Sequence, residues 1–452
     1  MSSFLDRAHT VAPPGYNRFM VPPAALAVHL SIGQAYAFST FNLPLSKLIG
    51  ITASAPDDWN LAQLGWTFSI AIVFLGVSAA VFGRWVENVG PRRAMFTAAC
   101  CFGGGFLVSA LGVQIHQLWL LYLGYGVLGG CGLGIGYISP VSTLIKWFPD
   151  RPGMATGMAI MGFGGGAMIA APMSVFLMNY FKTATSNGVV GAFVVMGIVY
   201  FCFMMIGVYA VRVPADGWKP EGWVAPAAAR RLVTTNHVHV DVAWRTRQFW
   251  LLWVVLCMNV TAGIGVLGQA SPMIQEMFGS RVTAASAAGF VGLLSIFNMA
   301  GRFFWASTSD YLGRRNTYMV FFLLGIALYA LVPTTGQIGS ITLFVAAFAI
   351  ILSMYGGGFA TIPAYLRDVF GTMHVGAIHG RLLTAWSAAG VLGPVLVNYI
   401  RQYQIEAGVP KAQAYSITMY IMCALLLVGF LANLAMRAVA ERHYYREAAA
   451  HS

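Results

Sequence analysis

Long apolar stretches alternate with short polar breaks along this chain, and their length sets the first expectation. A helix that crosses a bilayer needs about 20 mainly apolar residues. Twelve stretches reach that scale, near 20–47, 62–83, 94–113, 117–147, 153–180 and 188–212, then near 249–277, 284–307, 316–335, 340–366, 375–400 and 413–437. The fourth, fifth and tenth are expected to include loop ends. The pattern predicts an all-α membrane protein: a tail over 1–19, a six-helix bundle over 20–212, a linker over 213–248, a second six-helix bundle over 249–437 and a tail over 438–452. The residues before Met20 are polar, include Pro13 and Pro14, and lack the apolar core of a cleavable signal peptide. The linker holds Pro214, Pro220, Pro226 and the basic pair Arg230–Arg231, with room for a short helix on the membrane surface.

The polar breaks also orient the chain. Lys47, Lys182, Arg281, Arg401 and Lys411 fall on one side. Apart from Arg302, inside a span, and Arg381, near the start of one, every other Lys and Arg falls on the opposite side with both chain ends. The excess of basic residues in cytoplasmic loops predicts both termini in the cytoplasm, with a bacterial cytoplasmic (inner) membrane as the expected location. The net charge of +12 follows from that topology and calls for no nucleic-acid partner. Composition agrees: 9% of residues are charged, against roughly 25% in a soluble domain.

Other features have plain readings. Cys100, Cys101, Cys131, Cys202, Cys257 and Cys423 sit in apolar stretches without disulfide-framework or zinc-site spacing. The glycines from Gly124 to Gly136 and from Gly162 to Gly166 lie within spans and precede no Lys-Ser/Thr, so they serve close helix packing rather than phosphate binding. Pro172 and Pro363 can kink their spans. Trp119, Trp147 and Trp250 near span ends are expected to be interfacial anchors. With no metal-ligand cluster, nucleotide motif or nucleophile–base pair in view, neither an enzyme nor a cofactor or metal is expected.

One polar break occurs twice, half a chain length apart. The first copy is G-R-W-V-E-N-V-G-P-R-R, Gly83 to Arg93, with Glu87, Gly90, Arg92 and Arg93. The second is A-S-T-S-D-Y-L-G-R-R, Ala306 to Arg315, with Asp310, Gly313, Arg314 and Arg315. Each acid can cap a helix end or pair with a base across the bundles, holding one access state and releasing in the other. The duplicated loop resembles the cytoplasmic signature of the major facilitator superfamily. That resemblance implies twelve transmembrane helices in two six-helix bundles and transport of a small solute by alternating access. Bundles related by an axis along the membrane normal place a substrate site at their interface near mid-membrane.

Arg302 is the sharpest candidate for that site. It lies eight residues before Asp310, about 12 Å deeper along a helix. A cation at that depth costs roughly 2.5 kcal/mol or more by insertion scales, so it is expected to face a cavity. There a guanidinium can grip a carboxylate through two parallel hydrogen bonds; snorkelling to the cytoplasm or bracing Asp310 is the alternative. Asn298 sits one turn earlier on the same face.

The strings F-N-M-A-G-R-F-F-W-A-S-T-S-D-Y-L-G-R from Phe297, K-W-F-P-D-R-P-G from Lys146 and Y-G-G-G-F-A-T-I-P-A-Y-L-R-D-V-F-G from Tyr355 resemble the oxalate:formate antiporter family. The resemblance implies a carrier of small carboxylates, with Arg302 at the anion-binding arginine and Tyr36 and Tyr137 at pocket-lining aromatic positions. The family's second cation, a lysine, aligns with Trp386; Phe163, Tyr355 and Phe359 also depart from its pattern. A single cation ringed by aromatics suits a monoanion, because a second carboxylate would stay unpaired in low dielectric.

The expectation is therefore a monocarboxylate transporter. Arg302 would neutralise the substrate, Asn298 and Tyr137 would hydrogen-bond it, and Tyr36, Tyr355 and Trp386 would shape the cavity. An oxalate:formate-type exchanger and a non-transporting carboxylate sensor are the alternatives. The expected partners are the organic anion, a counter-anion or proton, and the bilayer, with the chain acting as a monomer. Proton-coupled monocarboxylate carriers of this superfamily place an acid one turn before the arginine. Asn298 cannot release a proton, which leaves His29 as the next titratable group, with a neutral imidazole bonded to a backbone carbonyl or Ser31 as the competing reading. His379 and Arg381 read either as gate residues or as interface anchors.

Overall fold

The computed structural model describes residues 4–223, 232–267 and 269–445, and these are helical apart from loops and isolated bridges. The helices are α1 (Val21–Ile32), α2 (Leu61–Val89), α3 (Pro91–Gln114), α4 (Leu118–Trp147), α5 (Pro152–Tyr180) and α6 (Val189–Ala210), then α7 (Arg247–Leu267), α8 (Ala284–Leu312), α9 (Arg314–Gln337), α10 (Ile341–Phe370), α11 (Val375–Glu406) and α12 (Ser416–Leu434). Among the described residues, eleven helices are long and apolar enough to cross a membrane.

The stretch near 20–47 is the exception. It is not one continuous α-helix: α1 ends at Ile32, a 3-10 segment runs Gly33–Phe41, and a last turn spans Asn42–Leu45. A 3-10 run of that length is uncommon because its hydrogen bonds are poorly aligned. The break falls where the backbones of two helices touch: a Cβ on Gly33 would lie 2.5 Å from the Phe163 carbonyl oxygen on α5. The stretch near 249–277 is also interrupted, with helix resuming over Ala270–Phe278. The fourth, fifth and tenth stretches are helical apart from the cap residues Gln117 and Ser340, so the expected loop ends shrink to single residues; Pro140, Pro172 and Pro363 are held inside the helices. Membrane helices tolerate such prolines because neighbours and local 3-10 or π turns take up the freed backbone groups. Within α4, Tyr122–Gly129 is π-helical.

The two signature glycines do the same work in each half. Gly90 turns α2 into α3 at φ 85°, and Gly313 turns α8 into α9 at φ 88°, a region that strains any residue with a Cβ. α5 packs on α8 and α10, and α2 on α11, which joins the halves. The chain ends and linker share one face, called here the terminal face. Ala12 donates to the Val213 carbonyl at 2.9 Å, and the Tyr445 amide to the His237 carbonyl at 2.7 Å. Within the linker the described helix is the single turn Val240–Ala243, while Pro226 and the pair Arg230–Arg231 lie outside the described residues. Trp119 and Trp250 are exposed, but Trp147 is buried and donates to the Arg212 carbonyl at 2.8 Å. It pins the N-terminal half to the start of the linker and is not an interfacial anchor.

Candidate functional site

Arg302 is fully buried where α8 meets α5 and α10. The groove that receives it is made by glycines. A Cβ on Gly164 of α5 would sit 2.9 Å from Arg302 Nε, and one on Gly356 of α10 would sit 3.0 Å from Arg302 Cγ. Glycine runs read from sequence as packing thus have a specific purpose at these two positions. Arg302 Nε donates to Asn298 Oδ1 at 3.2 Å and Nη1 to the Ile160 carbonyl at 3.4 Å. The guanidinium carbon lies 5.6 Å from the Phe163 ring centre and 5.3 Å from that of Phe359. It neither reaches the surface nor braces Asp310, which other groups occupy.

A shell of rings closes over the cation. Tyr137, Phe163 and Trp386 touch one another, with centroids 5.4 to 5.5 Å apart. Phe359 packs on Trp386 at 4.4 Å and Tyr36 on Phe163 at 5.1 Å. The Tyr36 and Tyr355 hydroxyls meet at 3.2 Å, bridging α10 and the broken first span. Arg302, Asn298, Tyr36, Tyr137, Tyr355 and Trp386 therefore share one cluster. Among the described residues, three of its buried donor atoms have no partner of hydrogen-bonding geometry: Arg302 Nη2, Tyr137 Oη and Trp386 Nε1; the guanidinium lies within reach of the Tyr137 and Tyr36 hydroxyls. A buried unpaired polar group costs about 1–3 kcal/mol, so each of these donors gains by meeting an acceptor.

His29 lies behind this shell. Its Nδ1 meets the Ala159 carbonyl at 2.5 Å and its Nε2 the Tyr137 carbonyl at 3.1 Å, while Ser31 is turned to Ala27. A neutral imidazole donates to one of these carbonyls, so the backbone of α4 or α5 holds the ring. Arg381 bonds Asp241 and the Val240 carbonyl, tying α11 to the linker. His379 is buried, and its ring lies 5.8 Å from Tyr137.

The duplicated loops close the terminal face. Glu87 accepts from the Gly376 amide at 3.0 Å and pairs with Lys146 at 2.8 Å. Asp310 accepts from the Gly153 and Met154 amides at 2.8 and 2.9 Å and pairs with Arg314 at 2.5 Å. Each acid sits at the first turn of a helix of the opposite half, where free amides and the helix dipole favour an anion. A Cβ on Gly83 would lie 2.9 Å from Ala377 Cα, so this glycine lets α2 lie against α11. The other basic residues work within their own halves: Arg92 bonds the Val208 and Phe4 carbonyls, Arg93 bonds Asp6, and Arg315 bonds the Leu434 carbonyl.

Sequence reasoning passed over Thr156, which donates to the Ala360 carbonyl at 2.6 Å, and Ser387, which donates to the Ile72 carbonyl at 3.0 Å. Neither position stands out in the chain, because each becomes informative only when the opposite half is in place. Among the described residues, hydrogen bonds joining the halves lie near the terminal face or at mid-depth. A cavity of about 780 Å³ lies on the terminal side of the clasps, lined by Glu87, Ser139, Ser142, Lys146, His237 and Thr372 among others.

Several known proteins are similar to this chain. The chain is 25% identical over 381 residues to the oxalate:formate antiporter of Oxalobacter formigenes, covering 84% of each protein. It is 23% identical to apicoplast pyruvate carrier 1 of Toxoplasma gondii, over 77% of this chain and 72% of that one. Human monocarboxylate transporter 11 is 23% identical, over 81% of this chain and 76% of that one. Among solved structures, the transporter FucP in its outward conformation superposes with a TM-score of 0.63 at 13% identity, covering 92% of this chain and 98% of that one. The proton:xylose symporter XylE superposes with a TM-score of 0.67 at 15% identity, covering 92% and 94%. These two likenesses establish the fold alone. The Major Facilitator Superfamily profile matches residues 16–394, and the chain belongs to that family of membrane transporters.

Proposed function

We propose that this protein carries small carboxylates, monocarboxylates foremost, across a bacterial cytoplasmic membrane by alternating access, with the terminal face in the cytoplasm. The observation that carries the reading is the buried Arg302 with Nη2 unpartnered beside the unpartnered Tyr137 hydroxyl and Trp386 indole. Two carboxylate oxygens offer enough lone pairs for all three donors, and one guanidinium neutralises one carboxylate. The carboxylate-named relatives, an oxalate:formate antiporter, a pyruvate carrier and a monocarboxylate transporter, support the substrate class. The Lys/Arg bias of the loops supports the orientation.

In this reading the acid enters from the far side when Tyr36 and Tyr355 part, displacing the rings that pack around Arg302. Asn298 holds Arg302 Nε and so aims the free edge of the guanidinium at the substrate. Neutralising Arg302 lets the rings close again, and release of the Glu87 and Asp310 clasps opens the terminal side. His29, set between carbonyls of α4 and α5 and donating to one of them, acts as a structural tie for α1. The return step takes a counter-anion or a proton, and a monomer suffices because the cluster is built within one chain.

The test is uptake of labelled lactate, pyruvate, formate and oxalate into proteoliposomes by the wild type and Arg302→Gln. Saturable wild-type uptake of monocarboxylates, lost in the purified, folded variant, is the expected result. Uptake by the variant would remove Arg302 from the site. Exchange restricted to oxalate would reverse the substrate preference, and binding without uptake would mark a sensor.

A further inference from the structure

Resting on the carboxylate reading above, we infer that His379 is the residue that carries a proton with the substrate. The acids carried by α1–α12 are Glu87, Asp310, Asp368 and Glu406, and each lies within the last three residues of its helix. The histidines carried by those helices are His29 and His379. An imidazole is the side chain whose ordinary range lies between pH 5 and 8. At the depth of the ring shell, then, the choice falls between two histidines.

Their surroundings differ in kind. His29 has a carbonyl of its own half beside each nitrogen, of which a neutral imidazole donates to one, and these neighbours stay with it when the halves separate. His379 is 1% exposed, and neither ring nitrogen has a hydrogen-bond partner among the described residues. It also sits on a moving seam. Gly376, three residues earlier, is the residue whose amide Glu87 clasps. Helix α2 lies against the same segment, with the Ala79 carbonyl where a Cβ on Gly380 would stand. When the clasp opens, the first turns of α11 leave α2 and α4, and His379 meets the water of the 780 Å³ terminal-face cavity, whose lining includes Glu87, Ser139 and Ser142.

The groups that face His379 set the coupling. Tyr137 of α4 presents its ring at 5.8 Å, and His29 of α1 acts across that ring, itself 5.2 Å from Tyr137. Helix α2 offers Ala79 and Gly83 to this segment, with Arg84 and Glu87 beyond them toward the terminal face. The linker places His239 and Asp241 at that outer end, while α10 and α7 bring Arg367, Asp368 and Arg247 to the same face. The charge at the inner end is Arg302, which acts on both Tyr137 and His29. A bound carboxylate cancels it, so an imidazole nitrogen takes up one proton from far-side water as the anion binds. The imidazolium returns that proton to terminal-face water once the clasp has opened and the anion has left. One proton and one monoanion then cross together with no net charge.

The experiment uses proteoliposomes of the full chain loaded with a pH-sensitive dye, with labelled lactate and pyruvate as probes. Wild-type net uptake is expected to acidify the lumen and to rise with an inward proton gradient. His379→Gln and His379→Asn are expected to lower gradient-driven uptake and substrate-linked proton entry at least tenfold while still exchanging labelled for unlabelled carboxylate. Wild-type carboxylate uptake without proton entry overturns the His379 assignment and leaves the carboxylate reading intact. Undiminished proton entry in either folded histidine variant overturns it too. Absence of any carboxylate uptake or exchange by the wild type overturns both, and the wild-type dye signal decides the matter even where a variant fails to fold.

Discussion

Glu87 and Asp310 are the same contact made twice: each carboxylate leaves the end of one helix and receives backbone amides at the start of a helix in the opposite half. Glu87 of α2 takes the Gly376 amide of α11 at 3.0 Å, and Asp310 of α8 takes the Gly153 and Met154 amides of α5 at 2.8 and 2.9 Å. A sequence repeat has thus become a pair of latches across one seam, both on the terminal face. The latches are unequal, since Asp310 holds two amides and Glu87 one.

That inequality gives a prediction. A hydrogen bond to a charged group contributes about 1.5–3 kcal/mol, so Asp310→Asn is expected to shift the balance toward the terminal-open state by about tenfold or more, and Glu87→Gln by less. The measurement is thiol labelling of Ser139→Cys, a position buried while the clasps are closed and bordering the terminal-face cavity, in a background without native cysteines. Equal labelling in wild type and both variants would show that these acids do not hold the face shut.

Thr156 is a third, neutral latch. Its hydroxyl donates to the Ala360 carbonyl of α10 at 2.6 Å. Thr156→Val keeps the branched shape and removes the donor, at a cost of about 1 kcal/mol. The same labelling assay should register a shift of about fivefold. Combined with Asp310→Asn, the effect should fall short of the sum, because both contacts join the start of α5 to the other half.

Much of this was legible in the chain. The apolar lengths marked the membrane helices, and Arg302 with Asn298 one turn away announced a buried polar pair. What the chain withheld is what depends on the partner half. Trp147 reads as an interfacial ring until its indole is seen on the Arg212 carbonyl. The first span reads as one helix until the contact of Gly33 with α5 shows where it breaks. His379 reads as an anchor beside a helix end because nothing in its neighbours along the chain reveals that its ring turns inward to Tyr137.

Asn298 offers a test of electrostatic aim. Its Oδ1 accepts from Arg302 Nε at 3.2 Å. Asn298→Asp keeps the shape and places an anion on the guanidinium before any substrate arrives. The built-in carboxylate competes for the same positive charge, so the half-saturation concentration for monocarboxylate uptake should rise about tenfold or more. Uptake kinetics with labelled pyruvate check this, and an unchanged value would mean that the substrate does not depend on Arg302 for its charge.

The glycine groove should discriminate between two neighbouring substitutions. On Gly164 a new Cβ meets the Arg302 side chain, with Nε at 2.9 Å, whereas on Gly356 it meets the Asn298 backbone carbonyl at 2.2 Å. A side chain can shift and a helix backbone cannot, and overpacking costs about 1–3 kcal/mol. Gly164→Ala is therefore expected to fold and to weaken uptake by displacing the guanidinium. Gly356→Ala should instead lower the thermal stability of the purified protein, read by a melting assay in detergent.

The tie between α11 and the linker has a pH dependence whose sign is fixed. The Arg381 guanidinium, 2.6 Å from Asp241, holds that carboxyl below its usual range against a small opposing effect of burial, with His239 and Arg84 adding to the pull. A carboxyl depressed in the folded state contributes stability above its unfolded value, about 3.9, and loses it as pH falls through the folded value. Protection of the amides over residues 240–246 against hydrogen exchange, corrected for intrinsic rates, should hence be flat from pH 8 to 5 and fall only below about pH 4. Asp241→Asn should show the weaker protection at every pH and no acid step. Loss of protection centred in the neutral range would instead show that the Asp241 carboxylate does not set the tie.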